Sequence, residues 1–271
     1  MIRRWTMQAW PALWLPLGEW EIFAERWNDT LQKAGLTGPF HMKDFAHSVN
    51  QFEQWKGKEE RRKALFGRLM QIIRETNAGP IGAIVSLRDF HGLTDQQQKD
   101  FLDPYYLAFQ TCTRGAALET LFRPPEEKVA MVYAYQTEFS GRAERLWYRI
   151  KNTYDFGYGM GSYAASTPAE VVQLQAADVF AYELSKEFEN RIKRPTNKMR
   201  WGLQQILRMV KIPPPRIIMY DRKELLRRVK ESNFPDQTYT EEVDNAQEKS
   251  AMEQMKKWAE ERGGVTWDFE L

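Results

Sequence analysis

Apolar residues recur every three or four positions through residues 18–34, at Trp20, Phe23, Trp27 and Leu31, and Gly35 follows them. That spacing places the four on one face of an amphipathic helix, which the glycine ends. Gly38 and Pro39 mark a turn before "FHMKDF" (40–45). A second helical pattern covers residues 51–76, with Phe52, Trp55, Leu65, Leu69 and Ile72 set among charges. "GPIGAIVSL" (79–87) has the length of a strand and follows a Gly-Pro turn. Residues 103–122 read as a helix, with Asp103 as its N-cap and Pro104 at the first helical position. "KVAMVYAY" (128–135), rich in valine and tyrosine, is a second strand. A helix over 141–152, a glycine-rich loop "FGYGMGSY" (156–163) and a long helix over 171–191, with Pro195 past its end, come next. "KIPPPR" (211–216) reads as a rigid linker, and the chain beyond it as charged, helical or partly disordered. Helices alternating with short apolar strands predict an α/β protein: one main domain over residues 1–211 and a charged extension over 212–271.

Composition narrows the class. A hydrophobic fraction of 42% and a charged fraction of 28% are those of a globular protein. The single cysteine, Cys112, rules out an internal disulfide and sits among small residues, as a packed helix thiol does. No run reaches the roughly 18–20 apolar residues that a membrane span needs. Two arginines precede an apolar patch at the N-terminus, as in a signal peptide. Pro11 and Pro16 interrupt that patch and no small-residue cleavage site follows, so a cytoplasmic protein is expected. Five of the ten tryptophans fall in the first 27 residues, an apolar segment that suits a second copy of the chain or a protein partner.

Charge is uneven although the net value is only +2. Residues 235–271 hold ten acids and four bases, net −6, which leaves +8 on the rest; residues 193–230 hold twelve bases and two acids. A basic stretch of this kind attracts phosphates, and Lys193, Arg194, Lys198 and Arg200 are the expected nucleic-acid contacts. A solvated helical surface gives the same counts.

The chemistry turns on one aspartate. "VVQLQAADVF" (171–180) is apolar and small apart from its two glutamines and Asp178, and an unpaired buried carboxylate costs several kcal/mol. Either Asp178 is solvated or paired within the protein, or a cation lies opposite it. Ala176, Ala177 and Ala181 leave room for a ligand, and the oxygen ligands of Mg²⁺ or Mn²⁺ suit a carboxylate. "FHMKDF" places His41 and Asp44 three apart, both bracketed by aromatics; in the first turn of a helix they would share a side. His41 could be a general base, a phosphate contact, a ligand or a hydrogen-bonded core residue. His47 and His91 have no partner at an obvious spacing. Glu138, in "YAYQTEFSGR" (133–142), stands just past a strand end, where it could meet an acid on a covering helix. No HExxH, CxxC, P-loop or GxSxG motif occurs.

"FHMKDFAHSVNQFEQW", "VAMVYAYQTEFSGR" and "LQAADVFAYEL", in this order, resemble the motifs of a large bacterial family, domain of unknown function 3800, over about residues 18–208. The resemblance implies an RNase H-like α/β fold with acids gathered around divalent metal and a nuclease activity. It matches Asp178 to the family's C-terminal helix acid, and His41 and Asp44 to its histidine-bearing motif. Two acidic positions of the pattern depart. The opening strand motif Asp-Glu-Ser-Gly is replaced by "RRWTMQAWPALWLPL", and near the end of the middle strand only Glu138 stands where an aspartate is usual. Two functions are therefore expected in parallel. One is a metal-dependent phosphodiesterase using His41, Asp44 and Asp178, with Mg²⁺ or Mn²⁺ held by Asp178 and Glu138. The other is a reduced member that binds nucleic acid or a protein partner without cleavage.

Overall fold

The uncharged run at 79–86 becomes the centre of a sheet because both of its faces find apolar cover. The computed structural model describes residues 7–14, 17–76, 78–101, 103–119, 128–135, 140–153, 159–193, 198–207 and 216–232. In chain order the elements are β1 (Met7–Trp14), α1 (Leu17–Lys33), α2 (Met42–His47), a 3-10 segment (Asn50–Trp55), α3 (Glu59–Glu75), β2 (Gly79–Ser86), α4 (Leu87–His91), α5 (Asp95–Asp100), α6 (Pro104–Glu119), β3 (Val129–Ala134), α7 (Ser140–Thr153), β4 (Met160–Ser166), α8 (Gln173–Lys193), α9 (Trp201–Leu207), β5 (Arg216–Tyr220) and α10 (Arg222–Ser232). One sheet has the order β1-β2-β5, with β1 antiparallel and β5 parallel to β2; the other is the parallel pair β3-β4, joined through α7.

Alternation along β2 divides the molecule into layers. Ile81, Ala83 and Val85 face a cluster built from α4, α6, α7, β3, β4 and α10. Gly82 and Ile84 face α8 and, behind it, the aromatic layer of α1, α2, the 3-10 segment and α3. Gly82 is what allows α8 to come so close. A Cβ there would stand 3.1 Å from Leu184 Cδ2 and 3.3 Å from Phe180 Cζ, and both of those side chains are fully buried.

Several expectations hold and others move. Asp103 caps α6 as expected: its Oδ1 accepts the Tyr105 N–H at 2.7 Å. Cys112 is buried on α6, and burial pushes its thiol well above the usual range, so it is a packing residue. The pattern over 51–76 splits in two at Gly57, which takes φ +76, a conformation that favours glycine. The glycine-rich stretch expected as a loop supplies β4 from Met160 onward. The expected boundary near residue 211 does not separate a domain, because β5 lies beyond it and pairs with the central strand. Residues 211–215 of the expected linker and the acidic segment 235–271 lie outside the described residues, while Arg216 opens β5. The N-terminal segment contributes β1 rather than a free apolar arm. Of its tryptophans, Trp27 is fully buried and Trp20 packs on the core edge-on to Phe23. No helix among the described residues is long and apolar enough to cross a membrane.

The end of α8 holds α9 by charge. Glu183 and Glu187, with side chains 2% and 3% exposed, would be costly to bury alone. Arg200 donates from Nε and Nη2 to the two Glu183 oxygens at 2.9 and 2.8 Å, and its backbone N–H donates to Glu187 Oε2 at 2.8 Å. Arg191 Nε donates to the other Glu187 oxygen at 2.7 Å. Gly202 completes the fit, since a Cβ there would lie 2.7 Å from the Glu183 carboxyl group. Removing one member of such a pair strands a buried charge. Arg200→Ala should therefore lower the unfolding free energy by about 3–5 kcal/mol, read from urea denaturation. A loss of less than about 1 kcal/mol, as for an exposed ion pair, would contradict the clamp.

Candidate functional site

Phe40–Met42 enters α2 as extended chain lying against α8, and two α8 side chains one turn apart receive its backbone. Gln175 Oε1 accepts the Phe40 N–H at 2.9 Å, and Asp178 Oδ2 accepts the Met42 N–H at 2.8 Å. Phe40 and Met42 are alternate residues of an extended segment, so their N–H groups point the same way. The i, i+3 spacing of Gln175 and Asp178 on α8 meets them. Both ends of the Gln175 amide are engaged: Trp27 Nε1 also donates to Oε1 at 2.9 Å, and Nε2 donates to Pro168 O at 2.7 Å. It is 2% exposed, and three segments meet on its amide.

The N-terminus of α2 shows why the acid is there. His41 is the residue before the helix, in extended conformation, and its side chain makes no capping bond. Met42 opens the helix with an N–H that has no partner within the helix, and the Asp178 carboxylate serves as its cap from across the interface. A negative charge at this end also suits the helix dipole. The other end is held by Arg62, whose Nη2 donates to Phe45 O at 2.9 Å and Ala46 O at 3.0 Å.

Asp178 and His41 are close without being bonded. His41 Nδ1 lies 3.9 Å from Asp178 Oδ2, beyond hydrogen-bond reach, and the two side chains are 45% and 38% exposed. Burial raises the Asp178 pKa; the Met42 N–H and His41 pull it back down, and Asp44 pushes it up. Asp44 is within its electrostatic reach, but the Asp44 Oδ2 accepts Asn50 Nδ2 at 2.8 Å. The structure thus brings His41, Asp44 and Asp178 to one neighbourhood at the α2–α8 contact. It places His41 ahead of the helix and Asp44 inside its first turn, where the sequence placed both in one turn. A half-exposed imidazole beside a carboxylate can exchange a proton or bind a polar ligand.

Mg²⁺ and Mn²⁺ take oxygen ligands from carboxylates, waters and substrate phosphates together, and of the expected pair Asp178 has one oxygen facing the Met42 N–H. Among the described residues no group of three or more His, Cys, Asp or Glu side chains is arranged to hold a metal ion. Glu138, the other expected ligand, lies outside the described residues, as does Arg194. Of the expected nucleic-acid contacts, Lys193 pairs with Glu189 at 3.5 Å, Arg200 pairs with Glu183, and Lys198 is an exposed residue. Sequence reading gave no role to Gln175. The available signal was an amide in an apolar run, one turn before the acid in question.

Substituting Asp178 separates its two roles as acceptor and charge. Asp178→Asn keeps an oxygen for the Met42 N–H and removes the buried charge, so stability at neutral pH should hold or rise. Asp178→Ala removes the acceptor and should cost about 0.5–2 kcal/mol, the usual worth of a helix cap. The pH dependence has a definite sign. A carboxyl whose folded pKa is raised stabilises the fold below its unfolded value, here near 3.8, and that contribution is lost as pH rises through the folded value. Wild type should therefore gain stability relative to Asp178→Asn as pH falls toward 3.8, in parallel urea titrations. Equal stability of the Ala and Asn variants would refute the cap. Comparison of the chain with protein-family models, curated proteins and solved structures finds no match.

Proposed function

We propose that this chain is a nucleic-acid-binding protein, an RNase H-like α/β domain whose helix acid positions the histidine-bearing segment and does not hold a metal pair. The observation behind the structural role of the acid is the bond from Met42 N–H to Asp178 Oδ2, which uses it as a cap. The basic stretch supports the choice of ligand. Lys193, Lys198, Arg222, Lys223, Arg227 and Lys230 are all exposed, within a span of twelve bases and two acids. They fall in two groups: Lys193 and Lys198 beside α8 and α9 on one side of the sheet, and the other four on α10, which packs on the other side; Lys193 pairs with Glu189 and Arg227 with Glu224. Exposed cations of this kind contact phosphates without reading sequence.

One observation favours the second reading, a metal-dependent phosphodiesterase acting on nucleic acid. The Asp178 side chain stays half-exposed beside His41, with Asp44 close enough to affect its charge. A metal-supported cleavage would need further acids, with Glu138 the first to consider.

Labelled single- and double-stranded DNA and RNA, incubated with Mg²⁺, Mn²⁺ or EDTA, separate the two. The binding reading expects association that weakens steeply with salt, is unchanged by EDTA and leaves the strands intact. Metal-dependent cleavage that Asp178→Asn abolishes would establish the second reading instead. Association indifferent to salt would sink the nucleic-acid assignment altogether.

A further inference from the structure

Helix α7 has two distinct faces. Ala143, Trp147 and Ile150, at i, i+4 and i+7, are buried in the cluster on the far side of β2 from α2 and α8. Arg142, Arg145 and Arg149 are exposed. At 3.6 residues per turn they fall within a band about 60° wide and about 10 Å long. Gly141 and Asn152 share that side and add no charge. Unlike Arg200, these arginines are not spent on acids: among the described residues no carboxylate stands within ion-pair distance of any of the three. Arg142 lies with its guanidinium 4.6 Å from the centre of the Tyr106 ring, a contact that leaves its charge uncompensated. Glu144, the one acid of the helix, is turned about 100° or more from the band and acts on Tyr163, whose hydroxyl its charge affects.

Scattered arginines are ordinary surface. A line of them is different, because like charges at i, i+3 and i, i+4 weaken a helix, and a row of anions laid along them removes that repulsion. The planar guanidinium fork takes phosphate oxygens two at a time. A folded protein partner would ask for an apolar centre inside the charged rim. This band has none; the nearest large exposed ring, Tyr148, stands at its margin. A phosphate backbone asks for positive charge alone. Helix α10 packs on the same cluster, so its exposed Lys223 and Lys230 add to the positive charge on this side of the sheet.

We propose that nucleic acid lies along α7, with Arg145 and Arg149 each meeting a backbone phosphate and Arg142 extending the line. This rests on the nucleic-acid-binding reading above and adds to it the surface and the mode of contact, through the backbone and without regard to sequence. A strand on α7 is on the opposite side of β2 from Asp178, which suits binding without cleavage.

Fluorescence anisotropy of the full chain across a salt series tests it, with labelled single strands and duplexes of two unrelated sequences. Arg145→Gln combined with Arg149→Gln should weaken binding to both sequences alike. It should also reduce the slope of log affinity against log salt by about 2, one for each phosphate contact. Arg145→Lys with Arg149→Lys keeps the charges and should keep the slope. Arg68→Gln with Arg74→Gln removes the same charge from exposed positions on α3 and should leave the slope unchanged. Wild-type affinity and slope in the α7 glutamine variant would overturn the band and leave the nucleic-acid reading standing. An equal loss in the α3 variant would reduce the effect to net charge and overturn the band too. Polyglutamate that competes as well as an oligonucleotide of equal charge would give the band to an acidic protein segment and overturn the phosphate occupant. Wild-type protein that bound neither strand nor duplex would bring down both readings.

Discussion

Everything around the candidate site depends on how closely α8 lies on the central strand, and that closeness depends on Gly82. With no Cβ at that position, Phe180 and Leu184 reach the strand backbone and seal that face of the sheet. The helix is then fixed in rotation, and each of its other faces acquires a defined duty. Gln175 and Asp178 look toward the segment that enters α2, while Glu183 and Glu187 look toward α9. Ala176 is fully buried in the same core cluster. A helix that carries apolar packing, amide docking and charge pairing on different faces cannot slip in register without losing all three.

Asp178 is accordingly a structural group first. Its environment is mixed: half-buried, bonded to one N–H, 3.9 Å from an imidazole and in the field of Asp44. Mixed environments leave a group titratable and accessible, which is why the same residue invites both a structural and a chemical reading. The geometry favours the structural one because the bond to Met42 answers a specific need of α2, an opening N–H with no other acceptor. The basic stretch has a similar double character. Arg200 looks like a phosphate contact in the sequence, yet its guanidinium neutralises a buried glutamate, and its bonds tie the start of α9 to α8.

Much of the fold was legible along the chain. Regular apolar spacing gave α1, the Asp-Pro pair gave the start of α6, and the uncharged run gave β2, which needs no alternation because both faces are covered. What was missed follows from physical causes. β1 contains Pro11 and reads as a broken apolar patch, but at the edge of a sheet a proline is tolerated. β4 begins among glycines, which weaken any strand signal, and β5 follows three prolines that suggest a linker. The site was half legible. His41, Asp44 and Asp178 lie in one neighbourhood, although His41 precedes α2 instead of sharing a turn with Asp44. Gln175 and Glu183 were invisible for two reasons. Gln175 pairs with partners more than a hundred residues away, and Glu183 pairs with a short helix that has no periodic signature of its own. Counting charges likewise overstated the free positive surface, because a sum over residues does not show which cations already have partners.

Amide hydrogen exchange at Phe40 and Met42, in wild type and in Gln175→Ala and Asp178→Ala variants, tests the docking of this segment on α8 most directly. Docking predicts slow exchange at both amides in wild type. Protection should be lost selectively at Phe40 in the first variant and at Met42 in the second, while the amides of β2 stay protected in all three. Fast exchange at Phe40 and Met42 in the wild-type protein, with β2 protected, would contradict it.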